Sequence, residues 1–158
     1  MNDITFAKNL VKGKIAETVF AQMLRSTGEF TVLDFGYERI IPELVQQGEK
    51  GVRNEMVETL RTAPDFAVIN RKTKQVHLIE VKYMRTFITK NILDVAKRMS
   101  KNWNPSCLFL ASADGFYFGE VKEIIKNKGK IRLLEHKQIP KKTQDAFLKI
   151  LNDFEEGN

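Results

Sequence analysis

A chain of 158 residues with 42% hydrophobic composition is long enough to bury one sizeable core and suggests a single α/β domain over 1–158. It has no apolar run of membrane length and no signal-peptide pattern, and its one cysteine, Cys107, excludes an intramolecular disulfide framework and a cysteine-built zinc site; a cytoplasmic protein without a membrane partner is expected. The formal net charge of +6 and sequence pI of about 9.4 favour polyanionic partners such as nucleic acid.

The first element is a long amphipathic helix over about Ile4–Arg25, with Ile15, Ala16, Val19, Phe20, Met23 and Leu24 at helical spacing. Asp3 can cap its start and Gly28 lies just past its end. Glu17 stands at the border of the apolar stripe, and alone it reads equally well as a solvated residue pairing with Lys14. A first strand is expected from Glu29 to Gly36.

Residues 37–63 read as a helical insertion, with one short helix opened by Pro42 and running through Gln47, and another from Val52 to Leu60. Arg39, Lys50, Arg53 and Arg61 are its candidate phosphate contacts, unless these helices simply cover a sheet edge.

Two apolar runs, Phe66–Asn70 and Val76–Val81, flank the charged loop Arg71, Lys72, Thr73 and Lys74, the pattern of an antiparallel hairpin. Pairing Asn70 with Gln75 puts Asp65 opposite Glu80, about 4.5 to 5.5 Å away. Glu80 and Lys82 share a strand face because Val81 alternates between them. Two carboxylates this close repel unless one takes up a proton or a cation lies between them, and hard divalent ions prefer such oxygen donors.

After the hairpin, a helix capped by Thr89 carries Ile92, Val95, Ala96, Met99 and Trp103 on one face, and Pro105 stops it. Ser106–Ala111 is a continuous apolar run suited to a buried strand, which completes a parallel crossover. A strand at Phe116–Phe118, a short helix at Glu120–Lys126, a strand at Lys130–Glu135 and a helix at Thr143–Phe154 close the chain. His77 and His136 read as isolated structural residues, and Cys107 and Trp103 as core.

Pro64-Asp65 followed by Glu80-Val81-Lys82 resembles the motif of the PD-(D/E)XK nuclease superfamily, and the αβββαβ order of elements matches its core. Gly13-Lys14-Ile15-Ala16-Glu17 is similar to the first-helix Gly-X-X-X-Glu of archaeal Holliday-junction resolvases, where arginine commonly follows and this chain has Thr18. The resemblance implies a restriction-endonuclease-like fold, a central mixed sheet flanked by helices with C-terminal strands and a helix added. It implies a Mg²⁺-dependent nuclease, with Mn²⁺ able to substitute, that hydrolyses phosphodiester bonds of DNA and leaves 5′ phosphates. Asp65, Glu80 and the Val81 backbone carbonyl would be metal ligands, Lys82 would lie near the attacking water, and Glu17 would reach the metal directly or through water. A homodimer follows by the same analogy. The alternative is a non-catalytic nucleic-acid-binding or assembly module that retains the fold; a basic α/β domain with merely exposed charges is a further one.

Overall fold

In the computed structural model, which describes residues 3–36 and 59–156, the apolar stripe of the first segment drives a helix of 24 residues, α1 (Asp3–Ser26). Only its second half is buried, through Ala16, Val19, Phe20, Ala21, Met23 and Leu24; Ile4, Phe6, Leu10 and Val11 are exposed. Gly28, at φ +71°, turns the chain out of the helix in the left-handed region that glycine tolerates.

The strands follow as β1 (Phe30–Asp34), β2 (Phe66–Asn70) and β3 (Val76–Tyr83), then helix α2 (Thr89–Asn102), β4 (Cys107–Ser112) and β5 (Gly115–Glu120). Helix α3 (Val121–Lys126), the short strand β6 (Arg132–Leu133) and helix α4 (Lys141–Glu156) complete the order. The six strands form one mixed sheet in the sequence order β1 to β6, in which β3 and β4 run parallel and every other pair antiparallel. The fold is therefore α/β, a mixed sheet flanked by helices.

Alternation along β4 divides the core into two layers. Cys107, Phe109 and Ala111 face the layer of α1 and α4, where Phe20 packs against Phe66 and Phe109 with ring centroids 5.3 and 4.7 Å apart. Leu108 and Leu110 face Ile92, Ala96 and Met99 of α2 and Val121 and Ile124 of α3. All six β4 residues are buried, as expected of a central strand covered on both faces.

Several boundaries differ from the sequence expectation. Thr89 is the first helical residue of α2 and Ile88 occupies the cap position, without a side-chain cap bond. The strand expected over Lys130–Glu135 shortens to two residues, because Lys128 and Gly129 take positive φ just before it and the chain turns towards α4 after it. The helices expected at Pro42–Gln47 and over most of Val52–Leu60, and Arg39, Lys50 and Arg53, lie outside the described residues. Residues 59–61 are helical, and the Trp103 indole N–H donates to the Thr59 carbonyl at 2.9 Å. Among the described residues no helix is long and apolar enough to cross a membrane.

Candidate active site

The turn between β2 and β3 sets the register on which the site depends. The buried Asn70 side chain accepts hydrogen bonds from the Lys72 and Thr73 backbone N–H groups, and the Asn70 N–H donates to the Gln75 carbonyl at 2.9 Å. Ile69 then pairs with Val76, Val68 with His77, Ala67 with Leu78 and Phe66 with Ile79, the register inferred from the loop.

Pairing stops at Phe66 and Ile79, while β3 continues to Tyr83 against β4 alone. Asp65 sits in a bend just before β2, so the second half of β3 has an open edge on this side. Its carboxylate Oδ2 accepts the Val81 N–H at 2.8 Å, the donor that the next rung of an antiparallel ladder would have used. The Asp65 carbonyl meanwhile accepts from Phe35 at 2.9 Å and from Gly36 at 3.2 Å, just past the end of β1. Asp65 is thus fixed from both sides by main-chain donors.

This bend brings the predicted acidic residues together. Asp65, Glu80 of β3 and Glu17 of α1 line one cleft, with Asp65 near enough to both glutamates for their charges to interact. Burial, and then the contact and repulsion with Glu80, push Asp65 up to about 7, although the Val81 N–H pulls the other way. Burial and then Asp65 push Glu17 up to about 7, against the opposing pull of Lys14, whose ammonium lies 3.3 Å from the Glu17 carboxylate. Glu17 thus pairs with Lys14 and also lines the cleft beside Asp65.

The cluster opens into a polar cleft of about 530 Å³ that Lys82 also lines. Sequence reasoning missed three of its neighbours, Arg25, Asp34 and Ala63, while Arg61 was expected only as a phosphate contact. Arg25 reaches across to donate to the Val32 carbonyl at 3.0 Å. Asp34 ends β1 opposite Phe66, beside Asp65. Its position depends on β1 pairing with β2 across residues 35–65, so no local pattern announced it; a lone carboxylate closing a hydrophobic strand was the only available signal.

The donor set suits a hard cation in its chemistry. Three carboxyl groups line the cleft, two of them raised to about 7, and offer oxygen donors alone. Among the described residues, no group of three or more His, Cys, Asp or Glu side chains is disposed to hold a metal unaided. A Mg²⁺ ion commonly takes one or two protein carboxylates and completes its shell with carbonyl oxygen, water and substrate phosphate, which is within reach of this set.

The other singled-out residues lie elsewhere. Cys107 is buried and its thiol is pushed up to about 12, chiefly by burial and then by Glu120. Trp103 is half-buried, edge-on to Phe35 at 5.4 Å. His77 and His136 are not isolated from each other: burial lowers the His136 pKa, and His77 lowers it further. Neither lines the cleft.

Compared with protein-family models, curated proteins and solved structures, the chain matches none.

Proposed function

We propose that the cleft hydrolyses phosphodiester bonds of nucleic acid, DNA by preference, with a divalent ion as cofactor, on a scaffold of the restriction-endonuclease-like kind. The observation that carries this reading is the bend at Asp65, which sets three carboxyl groups and Lys82 around one open cleft. The αβββαβ order of the first six elements among the described residues, with β3 and β4 parallel, supports the scaffold assignment.

Asp65 and Glu80, with the Val81 carbonyl, would hold Mg²⁺ or Mn²⁺, and Glu17 would complete the ligand set directly or through water. Such an ion supplies Lewis-acid polarisation of the phosphate and a more acidic water. Lys82 orients the attacking water and offsets charge that develops on the phosphate oxygens. Arg25 and Arg61, which line the cleft, would contact the flanking phosphates.

The test is cleavage of labelled linear, single-stranded and four-way-junction DNA with Mg²⁺, with Mn²⁺ and with chelator, comparing the parent with Asp65→Ala. Cutting that disappears both in chelator and in the variant, leaving 5′ phosphates, is the expected result. An Asp65→Ala protein as fast as the parent would sink the assignment, and binding without metal-stimulated cutting would favour a non-catalytic binding module.

A further inference from the structure

A second surface, built from the other end of the sheet, combines an exposed ring with unneutralised cations. Gly129 adopts φ +95°, and a Cβ there would stand 2.3 Å from the Thr89 carbonyl oxygen. The loop that carries Lys128 and Lys130 therefore packs directly on the first turn of α2. Immediately before that turn lie Phe87 and Ile88, 37% and 52% exposed. The Phe87 ring meets the Tyr117 ring edge-on, with centroids 4.2 Å apart.

Sheet register relates this pair to the cleft. Lys82 pairs with Leu110, Leu110 with Tyr117, and Tyr117 with Leu133, which is 56% exposed. Directly paired residues share a face, so Tyr117 stands on the rung of Lys82, two strand spacings or about 10 Å away.

The Tyr117 hydroxyl donates to the Asp114 carboxylate at 3.2 Å, and beyond that one acid the neighbouring segment is rich in bases. Between Val121 and Lys137 the chain has six basic residues, Lys122, Lys126, Lys128, Lys130, Arg132 and Lys137, against the two acidic residues Glu123 and Glu135. Among the described residues, none of the six takes part in an ion pair.

A flat apolar ring among unneutralised cations suits a polyanion with exposed aromatic faces. A duplex hides its base faces in the stack and would engage the cations alone, whereas an unpaired strand can use both. We propose that Phe87, backed by Tyr117 and Leu133, with Lys90 on the adjoining first turn of α2 and Lys128 and Lys130 on the loop packed against that turn, is a stacking platform for an unpaired nucleic-acid strand. The substrate of the candidate active site then carries a single-stranded arm, an inference that rests on the nucleic-acid reading of the cleft.

The experiment is fluorescence anisotropy of the full chain with a labelled oligothymidine and with a blunt duplex, in chelator, followed by a cleavage readout on the same samples with Mg²⁺. Phe87→Ala is expected to weaken oligothymidine binding by about five-fold or more and leave the duplex unchanged, with Phe87→Tyr restoring it. Lys128→Gln combined with Lys130→Gln is expected to weaken both ligands and flatten the salt dependence.

Unchanged oligothymidine binding by Phe87→Ala overturns the platform, as does equal weakening of strand and duplex, or displacement by polyglutamate as readily as by unlabelled oligothymidine. The two readings fail separately. Phe87-independent binding with Mg²⁺-dependent cutting removes the platform and keeps the nuclease, and Phe87-dependent binding without cutting does the reverse.

Discussion

Glu17 and Asp65 are each held near 7, well above an ordinary carboxyl, and the sign of the consequence follows from linkage. The unfolded chain loses these protons near its ordinary carboxyl pKa while the folded chain keeps them to about 7, so folding binds protons across that window. In chelator the protein should be most stable in mild acid and lose stability as pH rises from about 4 towards 7. Thermal melts across that range, repeated on Asp65→Asn, should show the decline in the parent and a shallower one in the variant. On the proposed reading Mg²⁺ would compete with the same protons, so the stabilisation it gives should grow from pH 6 to 8. Lys82→Ala, by contrast, should slow cleavage by about 10²- to 10³-fold while leaving metal affinity near that of the parent, measurable by titration calorimetry. Cys107, buried and with its thiol raised to about 12, should resist maleimide until the protein is unfolded.

Among the elements, α4 is fastened to β3 through one polar knot. The Tyr83 hydroxyl donates to Glu155 Oε2, and Lys12 and Arg85 approach Glu155 Oε1 at 3.7 and 3.8 Å. Burial and the carboxylate raise the Tyr83 phenol well above its usual range. Tyr83→Phe leaves Glu155 without that donor and should cost about 1 to 3 kcal/mol, read by urea denaturation. Phe109→Ala, which empties the centre of the α1 and α4 layer, should cost about 3 to 5 kcal/mol in the same measurement. Legibility varied at this scale for physical reasons. The hairpin register was readable because a short loop closed by Asn70 leaves one pairing, and β4 because a strand covered on both faces is apolar throughout. The start of α2 was misread by one residue, since Thr89 suits a cap by chemistry whereas the chain turns at Ile88.

Over the whole molecule, what the sequence left hidden is what long-range pairing assembles. Asp34 and Arg25 reach the cleft through the β1 and β2 pairing and the packing of α1, neither of which leaves a local pattern. The proximity of His77 and His136 likewise arises from contacts between segments far apart in the chain. Net charge was legible, but its concentration near β6 gained meaning only once Phe87 and Tyr117 stood beside it. Strand β3 ties these scales together, because Ile79 and Val81 belong to the core while Glu80 and Lys82 line the cleft. A single inserted or deleted residue there would send the charged pair into the oily layer and the aliphatic pair into water. Descent should therefore alter this strand by substitution or by steps of two, and should keep the length of the turn at Arg71–Lys74 that sets its register. An insertion–deletion scan scored for soluble expression should find its deepest intolerance between Ile79 and Lys82.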